Sequence, residues 1–210
     1  MKLILVRHGE TPWNAEKRYQ GTKNPGLNER GRNQAKAIAE ELRDEKIDAI
    51  YCSSMNRARE TLEKILKFHP HIKPTFLDGL VEINYGIFEG MTRDEILAKH
   101  GDLIYQRSKQ GIDFKNPGGE SVRELIGRLV GVLDGIKNEH FGKTVLIVAH
   151  SNVNKALLHI IIDFPKEDFF EVYHPHDLIY IVDLKDEKPK VRHKYAGKGH
   201  GEGLVKMHWK

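Results

Sequence analysis

The chain has 210 residues, of which 39% are hydrophobic and 30% charged, and its formal net charge is +4. This length suits one domain with its own hydrophobic core, so residues 1–210 are interpreted as a single domain. One cysteine, Cys52, excludes an internal disulfide framework and favours a reducing compartment. No apolar run approaches the roughly 18 residues of a membrane span. We therefore expect a cytoplasmic protein without a membrane partner.

The positive charge is spread along the chain rather than clustered. Acidic residues alternate with basic ones, and even the most basic stretch, residues 185–198, is interrupted by Asp186 and Glu187. Nucleic-acid-binding faces usually concentrate their Lys and Arg side chains, so no nucleic-acid partner is expected. Residues 185–198 are interpreted as a solvated, lysine-rich tail, and a small anionic ligand would need only a local pocket.

Short apolar runs alternate with helical patterns along the chain. Strands are predicted over residues 2–6, 47–52, 144–149 and 178–184, and the apolar run at 144–149 is typical of a strand covered on both faces. Apolar residues at helical spacing occur within residues 35–42, 58–66, 125–136 and 151–160. This alternation predicts an α/β fold with a mostly parallel sheet and helices on both faces.

The stretch between residues 84 and 119 has little strand character. Thr92 and Glu95 fit the capping box that begins a helix, and Ser121 and Glu124 fit a second one just beyond the stretch. Residues 84–119 are therefore predicted to be a helical excursion or lid.

Polar residues of one kind follow three of the predicted strands. Arg7 and His8 follow the first strand, Arg57 comes shortly after the second, and His150 and Ser151 follow the third. Because ligands of open α/β sheets bind beyond the carboxyl ends of the strands, these side chains are expected to converge. Cations packed together repel one another unless an anion lies between them. Phosphate matches both the fork of Arg and the N–H groups of a helix beginning near Ser151.

These residue types suit phosphoryl transfer. Arg7 and Arg57 would bind the equatorial oxygens and would also disfavour a charged imidazole, which keeps His8 neutral and nucleophilic. His150, protonated through contact with the anion, would spread the transition-state charge. Glu82, with an apolar neighbour on each side, is the best candidate for the acid that protonates the leaving oxygen and then activates water.

Ordinary structural roles compete with each of these assignments. The chain has twelve histidines, and any single one is more often structural than catalytic. Arg7 could form an ion pair at a strand edge, and Glu82 could be a solvated turn residue. Spacing alone leaves the convergent site open.

Other kinds of site fit the sequence less well. A cysteine phosphatase loop needs an arginine six residues after Cys52, where the chain has Ala58. The pairs His69/His71 and His174/His176 lack carboxylate or cysteine partners at ligand spacing, so surface histidines are predicted there rather than a metal site. The glycine-rich phosphate loop of nucleotide kinases is missing.

Several segments resemble the histidine phosphatase superfamily, also called the phosphoglycerate mutase-like family, in the order that the family has them. They are LVRHGETPWN with RYQG and NERGRNQA, then YCSSMNRARET, LVEINYGIFEGMT, NPGGES and VLIVAHSNVNKALL, from residue 3 to about 160. The resemblance implies a three-layer α/β/α sandwich and no metal or other cofactor. It makes His8 the nucleophile and Glu82 the proton donor. The residues that it assigns to phosphate or substrate binding are Arg7, Asn14, Gln20, Gly21, Arg57, His150 and Ser151.

The sequence departs from the family pattern in places. Ser151 and Asn152 stand where the family often has Gly-Gly, which adds bulk and polarity near the substrate. Glu60 replaces the usual Gln and is interpreted as a surface change. His174 and His176 lie in a segment without the usual Asn-Ala/Cys-Ser block, and their role is left open.

Within this family, the sequence favours a phosphatase. Cofactor-dependent mutases tend to have a longer insert after the acid and an Arg-Arg…Pro-Pro-Pro signature, which residues 84–119, with Arg107 and the single Pro117, do not match. The expected substrate is a small phosphomonoester: a sugar phosphate, phosphoglycerate, phosphoserine or an ester of the α-ribazole phosphate type. The alternatives are a phosphoglycerate mutase and a non-catalytic phosphate-binding or interaction module. A homodimer is left possible.

Overall fold

The computed structural model describes residues 1–207, and within them seven strands form one sheet. The strands are β1 (Lys2–Arg7), β2 (Ala49–Ser53), β3 (Thr75–Leu77), β4 (Thr144–Ala149), β5 (Leu178–Asp183), β6 (Lys190–Tyr195) and β7 (Gly199–Glu202). Their order across the sheet is β3-β2-β4-β1-β5-β6-β7. The first two strands of the chain therefore flank β4, which brings their carboxyl ends together.

The sheet is mixed rather than uniformly parallel. The neighbours β3, β2, β4 and β1 pair in parallel, with Lys2 opposite Thr144 and Ala49 opposite Val145. The strands β5, β6 and β7 then pair antiparallel to their neighbours. The expectation of a mostly parallel sheet thus describes the half that carries the predicted site, and the other half is built from antiparallel strands.

The last two strands correct one interpretation of the sequence. Residues 185–198, taken as a solvated tail, contain β6, in which Val191 pairs with Val182 and Arg192 with Ile181 of β5. Alternate side chains of β6 stay exposed on this outer part of the sheet, so its composition resembles that of a surface segment. The interpretation as a tail is wrong, because lysine-rich strands near a sheet edge lack the apolar run that identifies a central strand.

Helices cover both faces of the sheet. Those within residues 1–207 are α1 (Pro12–Ala15), α2 (Glu29–Glu41), α3 (Asn56–Leu66), α4 (Arg93–Gln110), α5 (Val122–Glu139) and α6 (Ser151–Ile162). Alternate residues of β1 point to opposite faces: Ile4 packs in one cluster with Ile38 of α2 and Leu62 of α3. Leu5 packs on the other face with helices α5 and α6. This arrangement confirms the predicted α/β/α sandwich.

Side-chain caps fix where two of the helices begin. Thr92 Oγ1 accepts a hydrogen bond from Glu95 N at 3.2 Å, and Ser121 Oγ accepts one from Glu124 N at 3.1 Å. In each case the glutamate also bonds the cap residue's backbone, so both predicted capping boxes are confirmed. The first begins α4, which lies in the predicted excursion of residues 84–119. The function of this excursion as a lid stays a prediction.

No helix in residues 1–207 is both long enough and apolar enough to cross a membrane.

Candidate active site

A cavity of about 430 Å³ opens where β1, β2 and β4 end. The residues predicted for the site that line it are Arg7, His8, Asn14, Gln20, Gly21, Arg57, Glu82 and Ser151. His150 does not line the cavity, but its ring centroid is 5.1 Å from that of His8. The strand order thus brings together residues that are up to 144 positions apart, from Arg7 to Ser151.

His8 is held as a neutral imidazole. Its side chain is buried, and ring Nδ1 lies 2.7 Å from the carbonyl oxygen of Gly9. Because a carbonyl oxygen only accepts, Nδ1 carries the proton and Nε2 keeps the lone pair. Burial, followed by the charge of Arg57, lowers the pKa of His8 well below its usual 6.5. An uncharged imidazole with an available Nε2 is a competent nucleophile.

Arg57 is completely buried and is tied to the protein on several sides. Its Nη1 donates to the carbonyl oxygen of Lys23 at 2.7 Å, and its Nη2 donates to that of Gly21 at 2.9 Å. Its Nε donates to Nδ1 of His150 at 3.2 Å. Burial lowers the pKa of Arg57 to about 10, so the group remains cationic at neutral pH. Arg57 therefore joins the loop at residues 21–23 to the centre of the site.

His150 lies between Arg57 and Ser53, and its protonation through contact with a bound anion stays a prediction. Its Nδ1 accepts the hydrogen bond from Arg57, so Nε2 carries the proton and donates to Ser53 Oγ at 2.8 Å. Burial, followed by the charge of Arg57, lowers the pKa of His150 well below its usual value. The ring is neutral in this structure and supports Arg57, and a contact with phosphate would require it to release one of these partners.

The segment that contains His174 and His176 holds the end of β1. Arg7 Nη1 donates to the carbonyl oxygen of His174 at 2.8 Å, and Nδ1 of His176 donates to that of His8 at 2.7 Å. The rings of His8 and His176 are 5.5 Å apart. His174 is fully buried, so its prediction as a surface histidine is wrong, and His176 is half-buried. Both help to position Arg7 and His8.

The other histidine pair also differs from its prediction. His69 is buried, and its Nε2 donates to the carbonyl oxygen of Leu42 at 2.9 Å, whereas His71 is exposed. His69 is therefore a buried residue with a hydrogen-bond partner and not a surface residue. Among residues 1–207, no group of three or more His, Cys, Asp or Glu side chains is placed to hold a metal ion.

The carboxylate of Glu82 faces the first turn of α6. Its Oε2 accepts from the backbone N–H of Asn152 at 3.3 Å, and its Oε1 accepts from that of Ile83 at 2.9 Å. Arg128 of α5 donates to the carbonyl oxygens of Gly79 and Val81, both at 2.6 Å, which fixes the segment leading to Glu82. The acid is thus held by backbone contacts beside the cavity.

The polar side chain of Asn152 bonds a residue of the cavity wall. Its Nδ2 donates to the hydroxyl of Tyr85 at 2.8 Å, which orients that ring on the cavity wall. Glu60, expected to be only a surface change, is half-buried, and its Oε2 accepts from the backbone N–H of Leu27 at 3.1 Å. Glu60 therefore fixes a loop near the site.

The loop that carries Asn14 and Gln20 is organised by Thr11. Thr11 N donates to Asn14 Oδ1 at 3.1 Å, and Thr11 Oγ1 donates to Gln20 Oε1 at 2.9 Å. With both amide oxygens occupied, the NH₂ groups are the ends that can donate to a ligand. Gly21 follows with φ of +51°, and a Cβ there would come 2.0 Å from Oε1 of Glu89. Glycine is thus favoured at this position, because any side chain would be strained by the positive φ and would displace the Glu89 carboxylate.

A second glycine makes room for an aromatic ring. Gly90 has φ of +85°, and a Cβ there would come 3.3 Å from the ring of Trp13. Its carbonyl oxygen accepts from Arg18 Nη1 at 2.7 Å. The segment after Glu82 is thereby packed against α1.

The profile of the histidine phosphatase superfamily (branch 1) matches residues 3–196. The chain belongs to this family. The resemblance read from the sequence motifs is thereby confirmed, and it extends through the antiparallel strands β5 and β6.

This histidine phosphatase is similar to proteins that are named for different activities. It is 34% identical to phosphoserine phosphatase 1 of Hydrogenobacter thermophilus over 157 residues, 75% of this chain and 74% of that protein. It is 33% identical to a 2,3-bisphosphoglycerate-dependent phosphoglycerate mutase of Bartonella henselae over 162 residues, 74% of this chain and 79% of that protein. The crystal structure of the α-ribazole phosphatase from Shigella flexneri superposes with a TM-score of 0.82 at 22% identity, covering 94% of this chain and 96% of that one. This last likeness shows the shared fold.

Several residues of the histidine phosphatase cavity were not predicted from the sequence. They are Lys17, Arg18, Tyr19, Tyr85, Arg107, Lys155, Phe170 and Met207. Tyr85 lies within the motif LVEINYGIFEGMT, which was the available signal for it. Arg107 lies on a helix whose sequence pattern resembles a solvated charged surface, and Lys155 is the one lysine of the apolar helix α6, so only the tertiary structure identifies them.

Proposed function

We propose that this histidine phosphatase hydrolyses a small phosphomonoester through a phosphohistidine on Nε2 of His8. The observation that carries the proposal is the buried, neutral imidazole of His8 beside Arg7 and Arg57, with the carboxyl group of Glu82 on the same cavity. Its relatives named as phosphatases and its family membership support hydrolysis of a small phosphorylated molecule.

The first step transfers the phosphoryl group to the enzyme. Nε2 of His8 attacks phosphorus while the bond from phosphorus to the ester oxygen breaks. Arg7 and Arg57, with the N–H groups at the start of α6, neutralise the equatorial oxygens. The proton on the Glu82 carboxyl group goes to the leaving oxygen, so the alcohol departs neutral and Glu82 becomes a carboxylate.

The second step regenerates the enzyme. The Glu82 carboxylate takes a proton from water, and the water oxygen attacks the phosphoryl group. The P–N bond to His8 then breaks and inorganic phosphate leaves. This step restores the neutral imidazole and the protonated acid, so no other reactant is consumed.

A second candidate is a cofactor-dependent mutase, which the 33% identity to the Bartonella henselae enzyme favours. A mutase uses the same phosphohistidine but passes the phosphoryl group back to a bound substrate rather than to water. The non-catalytic alternative would leave the cavity without one of its reactive groups. The presence of His8, Glu82 and both arginines around one cavity supports catalysis.

The proposal is tested by phosphate release from p-nitrophenyl phosphate and a panel of natural monoesters, with and without a chelator. We expect hydrolysis that the chelator does not reduce. Isomerisation of 3-phosphoglycerate only after addition of 2,3-bisphosphoglycerate, without hydrolysis, would assign a mutase. If the pure, folded protein shows neither activity, the non-catalytic module replaces the proposal.

Substitution Glu82→Gln is expected to lower turnover of an alkyl phosphate by about 10²–10⁴-fold, because the leaving alkoxide then has no proton donor. With p-nitrophenyl phosphate, whose leaving group needs no proton, we expect a burst of p-nitrophenol followed by slow turnover. The control is Glu63→Gln, an exposed carboxylate on α3. Equal loss on both substrates without a burst would contradict the role of Glu82.

The predictions of a cytoplasmic location, no nucleic-acid partner and a possible homodimer belong to this proposal. Cell fractionation tests the first, a filter-binding assay with RNA and DNA the second, and light scattering the third.

A further inference from the structure

Lys155 of α6 lines the cavity as a cation and has no hydrogen-bonded partner in the part of the chain that the structure describes. Its side chain is 8% exposed. The charges that act on it are Arg7, Glu82 and Arg107, and no carboxylate within residues 1–207 is hydrogen-bonded to it. Its Nζ lies 5.9 Å from the ring of Phe169. Burial, followed by the charge of Arg7, lowers the pKa of Lys155 to about 8, and the opposing charge of Glu82 offsets only part of this shift.

Arg107 of α4 lines the same cavity. Its Nη1 is buried and finds no hydrogen-bond partner within residues 1–207. Its guanidinium carbon lies 5.4 Å from the ring centroid of Tyr19, 5.8 Å from that of Tyr85 and 5.9 Å from that of Phe170. The aromatic faces attract the cation, but they leave its N–H donor unsatisfied.

The charges of the cavity do not balance with a phosphoryl group alone. A phosphate dianion beside His8 is matched by Arg7 and Arg57. Glu82 adds no negative charge when it holds the proton that the leaving group needs. Lys17 also lines the cavity but is exposed, so water solvates its charge. Lys155 and Arg107, which are buried and half-buried, are then left without a counter-charge among residues 1–207, which is costly unless the ligand brings a second anion.

The position of Lys155 sets the distance between the two anions. It lies four residues after Ser151, so both occupy one face of α6 and are separated by a rise of roughly 6 Å. The phosphoryl group is expected at the Ser151 end. A second anion one helical turn away fits a group two or three bonds from the ester oxygen. The subsite offers two donors, the ammonium group of Lys155 and one buried N–H group of Arg107. Two donors match the two oxygens of a carboxylate better than the three oxygens of a phosphoryl group.

We infer that Lys155 and Arg107 form a carboxylate subsite, and that the substrate is a small phosphomonoester with a carboxylate two or three atoms from the ester oxygen. This inference rests on the proposed function. The apolar side of the subsite is formed by the aromatic rings around Arg107, and the cavity of about 430 Å³ has room for both anions of such a substrate.

The test compares pairs of esters that differ only in the carboxylate. O-phosphoserine is compared with O-phosphoethanolamine, and 3-phosphoglycerate with glycerol 3-phosphate. For the wild type we expect kcat/KM to favour the carboxylated member by at least tenfold in one of the pairs. We expect Lys155→Met and Arg107→Met each to reduce that ratio by at least fivefold, whereas Lys155→Arg, which keeps the charge, retains most of it. Lys67→Met, an exposed lysine at the end of α3, is the matched control and leaves every rate unchanged.

Each outcome separates this inference from the proposed function. Hydrolysis of p-nitrophenyl phosphate with equal rates on both members of each pair overturns the carboxylate subsite and leaves the phosphatase intact. An equal loss of kcat/KM on all substrates in the folded Arg107→Met variant also overturns the carboxylate subsite and leaves the phosphatase intact. Faster turnover of fructose 1,6-bisphosphate than of either carboxylated ester makes the second anion a phosphate and also overturns it. No hydrolysis of any ester overturns the proposed function itself.

Discussion

Substitution His8→Ala is expected to lower the rate of phosphate release by at least about 10⁴-fold, with the fold intact. In the proposed mechanism His8 supplies the atom that forms the new bond to phosphorus. No neighbour can replace it, because Nε2 of His150 donates to Ser53 and neither His150 nor His176 lines the cavity. Arg7 and Arg57 still bind phosphate, so binding should weaken much less than turnover.

The measurement combines turnover with trapping of the intermediate. The wild type, quenched with alkali during turnover of a ³²P-labelled monoester, is expected to retain label that acid removes, as for a phosphohistidine. The His8→Ala variant is expected to retain none. His71→Ala, at an exposed histidine, is the control and should behave as the wild type. Turnover by His8→Ala within tenfold of the wild type would refute the mechanism.

The free energy of unfolding is expected to decrease steeply as the pH falls from about 6.5 towards 5. The unfolded chain protonates its histidines near pH 6.5, whereas burial holds the pKa of His174 at about 3 and that of His176 at about 2. Burial also lowers the pKa of His8 and His150 well below 6.5. The folded state therefore binds fewer protons than the unfolded state in this pH range. Each such histidine lowers the free energy of unfolding by roughly 1.4 kcal/mol for every pH unit below about 6.5.

Histidines and carboxylates affect the free energy of unfolding in different pH ranges. Glu41 and Glu95, whose pKa values lie below their usual 4.5 because of hydrogen bonds, contribute to acid unfolding only at lower pH. Thermal unfolding measured between pH 7 and pH 5 should show Tm falling continuously, and proton uptake on unfolding should exceed one. Replacement of His174 and His176 by Asn should make the dependence shallower. A constant Tm across this range would contradict the prediction.

The parts of the molecule that follow local rules could be predicted from the sequence. The apolar run of β4 and the helical spacing of Ile38 and Leu42 identified a strand and a helix that the structure contains. Thr92 and Ser121 fixed helix starts because a cap bonds residues only three positions away. The order of the parallel strands then brings Arg7, Arg57 and Ser151 to one edge.

The parts that depend on contacts distant in sequence could not be predicted. Strand β6 pairs near the sheet edge and lacks an apolar run, so it resembled a tail. His176 was left without a role because its bond to the His8 carbonyl oxygen spans 168 positions. The neutral state of His150 depends on its contacts with Arg57 and Ser53, which the motif alone does not define. Lys155 resembled one more lysine of a helix until the cavity was visible.

The packing of Trp13 against Gly90 gives this enzyme a built-in optical probe. The chain has two tryptophans, so a variant with Trp209 replaced by Phe would emit from Trp13 alone. That indole is half-buried and lies between α1 and the segment that follows Glu82. Its neighbour Asn14 lines the cavity. Movement of the segment after Glu82 would therefore change the emission of Trp13, and stopped-flow fluorescence could time that movement without an attached dye.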